Sequence, residues 1–402
     1  ILCYITLIFV TAVSIGVLTG ILSLRAITQN LRQASGLRAQ VIDASVSSPD
    51  TIRAFDRSNY MEARWSAATN SIHTLSRYIW DRQNRIQSAI RGATALLTVI
   101  IISVGALLVV DGNLDVGAMI GANILAARAL MPIVGLSQQV DGWVRAGQAR
   151  RSLADFVQIP RERKSGTAIN KYSGNIEVKN MTFTYPNLGL TLIDEINFSV
   201  NAGEVLCISG RNSSGKTTLA KLLTGLLDPS KGQILAGGID LQQIAPDWWR
   251  QQIMYLPQEP YFMNGSIREN FNAFNPDLTA QEIRKLLVDV GLESLADESP
   301  GGLDQPVGKA GTNFSLGVRR RLALARALSH DGPLAILDEP TEGIDVIGAS
   351  YVYRIMNDMV RNGKTIIACS HDREIIRGAH LFLDLDERPR PIIKDISKND
   401  VP

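Results

Sequence analysis

The first 24 residues, "ILCYITLIFVTAVSIGVLTGILSL", contain no side chain that is charged at pH 7. About 20 apolar residues are enough for an α-helix to cross a lipid bilayer, and a helix satisfies its own backbone hydrogen bonds there. The stretch has neither the basic leader nor the small-residue cleavage site of a signal peptide. It therefore predicts a membrane-spanning helix, and a buried core helix is the weaker alternative.

Two further uncharged runs cover residues 93–110 and 116–140, and the second is interrupted only by Arg128. A buried core helix is the alternative for each run. A charge at depth in a membrane span usually faces the interior of a helix bundle or an aqueous cavity; a structural pair with another helix is the competing explanation for Arg128. Together with residues 1–24, these runs predict three spans.

Positive charge indicates the orientation of these spans. Arginines follow the first span, precede the second and follow the third: Arg25, Arg32, Arg38, Arg82, Arg85, Arg91, Arg145, Arg150 and Arg151. The loop "DGNLD", residues 111–115, carries only acidic charge. Because basic residues stay on the cytoplasmic side, this loop is predicted outside and the chain after residue 145 inside.

The sequence begins with Ile inside an apolar run, so we expect that an upstream part of the natural protein is missing.

Residues 25–92 are too polar to span a membrane and too helix-like to be a loop. Pro49 in "SSPDT" disfavours a helical conformation at the residue before it. We predict two long cytosolic helices joined by a turn and a short helix near residues 51–59.

The polar segment 159–174, "IPRERKSGTAINKYSG", is predicted to be a linker. The expected organisation is therefore a membrane domain over 1–158, this linker, and a second domain over 175–402.

Overall composition adds two constraints. The formal net charge is +2, which gives no indication of nucleic-acid binding. The three cysteines, Cys3, Cys207 and Cys369, each lie alone in an apolar run. Without metal or redox spacing they are predicted to be small buried hydrophobic residues in a reducing compartment.

The second domain contains a buried strand, a glycine-rich turn and a helix in "VLCISGRNSSGKTTLAKLLTGL", residues 205–226. The turn matches the pattern G-x-x-x-x-G-K-[ST], in which backbone N–H groups and the helix N-terminus bind phosphate. Lys216 is expected to reach the β and γ phosphates, and Thr217 to place a hydroxyl on Mg²⁺. The predicted ATP-binding residues here are Gly210, Arg211, Asn212, Ser213, Ser214, Gly215, Lys216, Thr217 and Thr218.

A second apolar strand, residues 334–337, ends at Asp338 and Glu339. We expect this strand to lie beside the strand that precedes the phosphate-binding turn of residues 210–217, which is called the P-loop below. Asp338 would then hold Mg²⁺ through water, and Glu339 would orient or deprotonate an attacking water. A solvated strand end is the alternative for two adjacent acids, but the P-loop in the same domain argues against it.

The order of these motifs resembles that of the ATP-binding cassette (ABC) exporter family. The resemblance implies that Tyr185 in "FTYPN" stacks on adenine, that Gln258 in "YLPQEP" contacts Mg²⁺ and water, and that His371 in "IIACSHD" contacts the γ-phosphate. It implies that "TEGID", which ends at Asp345, is a dimer-contact loop. Asp338, Thr217 and Gln258 would then hold Mg²⁺, and Glu339, His371 and Lys216 would be catalytic.

The resemblance covers the whole chain and implies its fold class. That class is all-α transmembrane helices, forming part of an exporter domain, followed by an α/β P-loop NTPase cassette with an antiparallel β subdomain and a helical subdomain. Residues 1–150 resemble the fourth to sixth helices of a six-helix exporter domain. "SPDTIRAFDRSNYMEARW" resembles a coupling segment that docks into the partner cassette. A soluble ABC ATPase is argued against by residues 1–24.

Three stretches most resemble the type I secretion branch: "SPDTIRAF…RW", "VVDGNLDVGAMIGANILAARALMPI" and "PRERKSG". That branch exports proteins or peptides, and exporters of lipid, drug or small peptides are the alternative. The resemblance implies ATP and Mg²⁺ as cofactors and a second ABC subunit, membrane lipid and a transported substrate as partners, with no nucleic acid. A periplasmic adaptor and an outer-membrane channel would be further partners. The implied location is the inner (plasma) membrane, as a multi-pass protein with its cassette in the cytoplasm.

The chain departs from the family at the signature, which usually reads L-S-G-G-Q. Here it reads "FSLGV", so Ser315 and Gly317 are kept while Leu316 and Val318 are unusual. In the family this segment faces the ATP of the opposite subunit, where Leu316 would add a side chain at a close backbone approach. Lys309 in "VGKAG" also stands where exporters have an acidic residue.

These departures concern only the surface offered to a second subunit. They leave three hypotheses: an active homodimer with a tolerated variant, which we favour; a heterodimer in which this chain is the half with the degenerate signature; and a membrane receptor or regulator that binds ATP without transport. The intact Glu339 and His371 argue against the third. The predicted mechanism is ATP-driven dimer closure that opens the membrane helices outward, followed by hydrolysis that resets the dimer.

Overall fold

The structure is a computed structural model that describes residues 1–138, 140–159, 161–163, 165–168, 171–186, 189–297, 301–387 and 391–396. The chain divides into two compact units, Ile1–Pro160 and Arg161–Pro402. Each unit is described separately below.

The first unit consists of helices. Its elements are α1 (Leu2–Ser47), α2 (Pro49–Ala54), α3 (Ser58–Val110), α4 (Val116–Gln138) and α5 (Val140–Val157). The short α2 begins with Pro at its first turn, a position where the missing N–H costs nothing. The long α3 runs without interruption from the polar segment into the apolar run that ends at the "DGNLD" loop.

Among the described residues, two helices are long and apolar enough to cross a membrane: α1, over Leu2–Gly20, and α3. The apolar part of α4, Val116–Pro132, is shorter, and the third span stays a prediction. Leu97, Ile101, Ala126 and Leu130 form a buried cluster between α3 and α4, against which the first residues of α1 pack.

The second unit contains strands and helices. Its strands are β1 (Ile176–Thr184), β2 (Thr191–Val200), β3 (Val205–Ser209), β4 (Lys231–Ala236), β5 (Ile239–Asp240), β6 (Ile253–Leu256), β7 (Gly265–Ser266), β8 (Pro306–Val307), β9 (Leu334–Asp338), β10 (Thr365–Cys369), β11 (Leu381–Asp384) and β12 (Ile393–Asp395). Its α-helices are α6 (Lys216–Leu223), α7 (Pro246–Gln251), α8 (Ile267–Asn272), α9 (Ala280–Asp289), α10 (Glu293–Asp297), α11 (Leu316–Leu328), α12 (Val346–Arg361) and α13 (Arg373–Arg377).

The strands form a central sheet of order β12-β11-β3-β10-β9-β6 and an antiparallel sheet of order β2-β1-β4-β5; β7 and β8 pair separately. In the central sheet only β12 pairs antiparallel. On one face of this sheet, an apolar cluster joins α6 and the antiparallel sheet to residues such as Leu206 and Ile208. On the other face of the sheet, a second apolar cluster joins Cys207 to helices α8 to α12. This architecture confirms the predicted fold class.

One expectation about the sheet is wrong. Strand β9 was predicted to lie beside the P-loop strand β3, but β10 lies between them and pairs in parallel with both. All five residues of β9 and of β10 are buried, so each sequence indicates a central strand without indicating its neighbours. The consequence is functional, because the segment that follows β10, with His371, leaves the sheet between the P-loop and Asp338.

Candidate nucleotide site

The P-loop runs from the end of β3 to the start of α6. Gly210 (φ 144°) and Gly215 (φ 106°) adopt conformations that side chains disfavour. A Cβ on Gly210 would lie 2.6 Å from the Ser214 hydroxyl oxygen. The loop is held from outside by Asp386, whose carboxylate accepts a 2.5 Å hydrogen bond from the Arg211 backbone N–H. The turn therefore wraps tightly at the N-terminus of a helix, where phosphate binds.

The Lys216 side chain folds back over this loop. Its buried ammonium donates to the carbonyl oxygens of Gly210, at 2.6 Å, and Arg211, at 3.4 Å. It also lies 2.8 Å from His371 Nε2 and 3.6 Å from Glu339 Oε1. The structure therefore brings the three residues predicted to be catalytic to one point.

Glu339 sits in a constrained backbone position directly after β9. Its φ is 50°, a left-handed conformation that costs free energy in a non-glycine residue. Its N–H donates to the Cys369 carbonyl, at 2.8 Å. Burial raises the pKa of the Glu339 carboxyl, as do Glu342 and Asp338, while Lys216 and His371 oppose the rise. A carboxylate with a raised pKa is better suited to accept a proton from water.

Asp338 is buried, and neither of its carboxylate oxygens has a hydrogen-bond partner among the described residues. Burial raises its pKa, and the nearby Thr217 hydroxyl and Lys216 ammonium oppose this. A buried carboxylate without donors is costly unless a cation or water satisfies it. Beside it, the Thr217 hydroxyl donates to Gln258 Oε1, at 3.1 Å. Hydroxyl, amide and carboxylate oxygens are suitable partners for hydrated Mg²⁺, so these residues fit that ion.

An open cavity of about 730 Å³ lies over the P-loop. Tyr185 lies at its edge, where its hydroxyl lies 3.1 Å from the Thr218 hydroxyl and its ring packs edge-on against Phe183. The lining residues are Tyr185, Leu190, Leu192, Asn212, Ser213, Gly215, Lys216, Thr217, Thr218, Gln258, Glu339, Thr341, Glu342, Ser370, His371 and Asp372. The cavity has the size of a small-molecule site.

Sequence reasoning missed Asp372, which follows His371 and caps α13 through the Glu374 N–H, at 2.9 Å. Its other oxygen accepts from the hydroxyls of Thr341, at 2.8 Å, and Tyr353, at 2.5 Å. Burial alone would raise its pKa, but these hydrogen bonds outweigh burial and the pKa is lowered. The ionised Asp372 fixes the segment that carries His371. An aspartate before a short helix was the available signal for capping.

Glu342 and Arg320 were also missed. One oxygen of Glu342 accepts from Gln258 Nε2, at 3.3 Å, and from an Arg320 terminal nitrogen, at 3.0 Å. The sequence places these residues on three separate segments, and only the folded cassette joins them.

The signature segment begins α11. Ser315 is the N-cap, and its hydroxyl oxygen accepts from the Val318 N–H, at 3.3 Å. Leu316 is 43% exposed, and its side chain lies over Gly343, where an added Cβ would be 3.0 Å from Leu316 Cδ2. Gly343 thus provides the space that Leu316 uses. The Lys309 side chain lies outside the described residues.

None of the signature residues Ser315, Leu316 and Gly317 is among the described residues that line the cavity. Asp345 caps α12 by accepting from the Gly348 N–H, at 3.0 Å, and is followed by two exposed apolar residues, Val346 and Ile347. This surface therefore lies outside the chain's own cavity.

A P-loop, an acidic strand end and a histidine around one cavity, in a chain with helices that can cross a membrane, define an ATP-binding cassette protein with a membrane region. Residues 193–342 match the family model described as ABC transporter, and residues 1–133 match the ABC transporter transmembrane region. The chain belongs to the ABC transporter family, in its exporter arrangement of a membrane region fused to a cassette.

Two curated relatives illustrate the similarity. The alpha-hemolysin translocation ATP-binding protein HlyB of Escherichia coli O157:H7 is 32% identical over 289 residues, which are 72% of this chain and 41% of that protein. The toxin RTX-I translocation ATP-binding protein of Actinobacillus pleuropneumoniae is 28% identical over 344 residues, or 85% of this chain and 48% of that protein. The chain thus spans less than half the length of these relatives.

The fold also matches a solved structure described as a bacterial Atm1-family ABC exporter with ATP bound. The TM-score is 0.85 at 21% sequence identity, over 96% of this chain and 68% of the other. At that identity the match supports the fold alone.

Proposed function

We propose that this chain is a subunit of a dimeric exporter in which ATP hydrolysis drives transport across a membrane. The observation that carries the proposal is the convergence of Lys216, Glu339 and His371 on one side of the cavity, within 3.7 Å of one another. Asp338 directly precedes Glu339 in the chain, and its carboxylate oxygens have no hydrogen-bond partner among the described residues. A cassette that only bound nucleotide would not need this set.

In the proposed reaction, the P-loop N–H groups and Lys216 bind the β and γ phosphates, and Tyr185 packs on the base. Glu339 orients the attacking water and takes its proton, while His371 contacts the γ-phosphate. Thr217, Gln258 and Asp338 would hold Mg²⁺, which when bound neutralises phosphate charge. The present Lys216 contacts with Gly210 and His371 must rearrange when phosphate replaces them as partners.

The proposal includes a second subunit. Ser315 caps α11 through its oxygen, which leaves its hydroxyl proton free to donate to an anion. Because the segment does not line the chain's own cavity, that anion would be the γ-phosphate bound to a facing cassette. We favour a homodimer. The alternative is a heterodimer, in which the partner's intact signature would complete the site on this chain's P-loop, while "FSLGV" would make the partner's site slow.

The proposed cargo is a protein or peptide, because the relatives above are named as translocators of hemolysin and RTX toxin. A type I secretion role would add a periplasmic adaptor and an outer-membrane channel as partners. The chain would lie in the inner membrane as a multi-pass protein, with its cassette in the cytoplasm. A lipid, drug or small-peptide exporter is the alternative.

Lys216→Ala in the 402-residue chain, reconstituted in lipid nanodiscs, tests the ATPase. Losing a charge-assisted contact of about 1.5–3 kcal/mol should weaken ATP binding roughly 10- to 100-fold, and phosphate release should fall to background. Lys285→Ala, at an exposed position of α9, is the matched control and should behave as wild type. ATP hydrolysis that survives Lys216→Ala would contradict the proposal.

Cargo class can be tested in the host cell by comparing the culture medium of wild-type and Lys216→Ala strains by mass spectrometry. A protein or peptide lost from the medium of the variant supports the proposed cargo. An unchanged set of secreted proteins, with loss of lipid or drug efflux, would contradict it.

A further inference from the structure

The Glu342 carboxylate joins the proposed magnesium ligands to the signature helix. Its Oε2 atom accepts hydrogen bonds from Gln258 Nε2, at 3.3 Å, and from Arg320, at 3.0 Å. The other end of the Gln258 amide, Oε1, accepts from the Thr217 hydroxyl. A continuous chain of contacts therefore runs from the P-loop helix α6 to the second turn of α11.

The chemistry of these contacts determines how the Gln258 amide is turned. An ionised carboxylate can only accept hydrogen bonds, whereas the Thr217 hydroxyl can donate or accept. Glu342 therefore requires the NH₂ group of Gln258 to face it, which leaves the carbonyl oxygen facing Thr217. That oxygen is the atom of the amide that a hard cation such as Mg²⁺ can use.

Arg320 holds the carboxylate in this position. The Arg320 side chain is 10% exposed and the Glu342 side chain 51%. Among the described residues, Glu342 supplies the only carboxylate within 4.0 Å of Arg320, and the Arg320 Nε and Nη1 atoms have no hydrogen-bond partner. The buried guanidinium therefore fixes the position of the Glu342 carboxylate that accepts from Gln258.

We propose that Arg320 and Glu342 are positioning residues that orient the Gln258 amide for magnesium binding. The inference rests on the proposed ATP-dependent function and assigns the pair a specific part in it. Residues behind a metal ligand fix its orientation, and removing them typically lowers metal affinity about 10- to 100-fold. Because Arg320 lies on α11, the same contacts tie the metal ligands to the signature segment.

The test compares nucleotide affinity with and without magnesium in the 402-residue chain in nanodiscs. The probe is the non-hydrolysable analogue adenylyl imidodiphosphate, titrated calorimetrically in excess Mg²⁺ and again in EDTA. The dissociation constant in EDTA divided by that in Mg²⁺, called the magnesium ratio below, isolates the magnesium contribution. A change in stability alone would move both constants together and leave this ratio unchanged.

Glu342→Gln should lower the magnesium ratio by about tenfold or more, because the new amide no longer dictates how Gln258 is turned. Arg320→Gln should lower it in the same direction, and Arg320→Lys, which keeps the charge, should recover part of the loss. The control is Asp304→Asn, which breaks an exposed ion pair with Arg268 outside the site and should leave the ratio unchanged.

An exchange of amide and carboxylate gives a test that does not rely on a loss. Gln258→Glu alone places two carboxylates together and should weaken magnesium-dependent binding. Adding Glu342→Gln restores one amide and one carboxylate, and should recover the ratio by about tenfold over the single variant. This pair of variants also decides the question if Glu342→Gln alone folds poorly.

An unchanged ratio in Glu342→Gln, or no recovery in the exchanged pair, would overturn the role of Arg320 and Glu342 while leaving the ATPase proposal intact. A wild-type ratio of one would overturn the magnesium site, and the inference with it. Wild-type failure to bind the analogue at all would contradict the proposed function itself.

Discussion

Glu339→Gln is the substitution that separates hydrolysis from binding in this cassette. The two side chains have the same shape, but the amide cannot take a proton from water. The carboxylate is 12% exposed, with Oε1 at 3.6 Å from Lys216 Nζ and 3.7 Å from His371 Nε2. The change therefore removes one charge from a site whose other groups stay in place.

The expected loss in turnover follows from the proposed role. A positioned general base contributes typically about 10²- to 10⁴-fold to a rate, which corresponds to about 3–5 kcal/mol in activation free energy. Nucleotide affinity should change much less, because the P-loop and Lys216 are untouched. The nucleotide-bound dimer should consequently accumulate.

The turnover of Glu339→Gln should fall, but its thermal stability should not. Burial raises the pKa of Glu339 in the folded state, and Glu342 and Asp338 add to the rise. A group with a raised folded pKa stabilises the fold when protonated, and this contribution is lost as the pH rises through the folded pKa. Glutamine resembles the protonated acid at every pH. The variant should therefore melt no lower than wild type at pH 7.5, and the difference should shrink as the pH falls.

The assay measures phosphate release at saturating Mg-ATP together with the melting temperature of the nucleotide-free chain at several pH values. Glu177→Gln is the control, because Glu177 forms an ion pair with Lys179 on the half-buried part of β1 and does not line the cavity. Wild-type turnover in Glu339→Gln would refute the role of general base. A melting temperature well below wild type at pH 7.5 would refute the electrostatic reasoning.

Three shorter predictions concern other parts of the cassette. Asp338→Asn should weaken analogue binding in Mg²⁺ about 10- to 100-fold while leaving binding in EDTA nearly unchanged, and equal losses in both titrations would contradict a magnesium role. Leu316→Gly should leave the ATPase rate of the homodimer close to that of wild type, because we favour a tolerated signature variant; a rise of about tenfold or more, equivalent to about 1.4 kcal/mol or more, would show instead that the side chain hinders phosphate approach. Phe271→Ala, at a fully buried position, should cost about 3–5 kcal/mol in the free energy of unfolding, measured by denaturant titration, whereas a cost as small as that of exposed Tyr261→Ala would contradict its place in the core.

The parts of the structure that depend on local chain were predictable. The P-loop consists of consecutive residues between a strand and a helix, so its sequence specifies its geometry. Asp338 and Glu339 follow an apolar strand and could be assigned for the same reason. The fold class and the family were confirmed, whereas the individual site roles stay predictions.

The missed features depend on distant segments. Strands β9 and β10 are equally apolar, so their order in the sheet depends on packing that neither sequence shows. The pair of Arg320 and Glu342 joins residues 22 positions apart, and each alone reads as an ordinary charged residue. Asp372 was overlooked because its two hydroxyl partners come from another loop and another helix.

The contact between Leu316 and Gly343 makes the order of mutations matter. Gly343 has a φ of 65°, and a Cβ there would come within 3.0 Å of Leu316 Cδ2. A chain that acquired alanine at 343 first would crowd the new Cβ against Leu316, whereas a chain that lost the leucine first would avoid that contact. The order of the two changes therefore matters, and a chimera that replaces only the segment containing Gly343 would be crowded, whereas one that replaces only the signature segment would not.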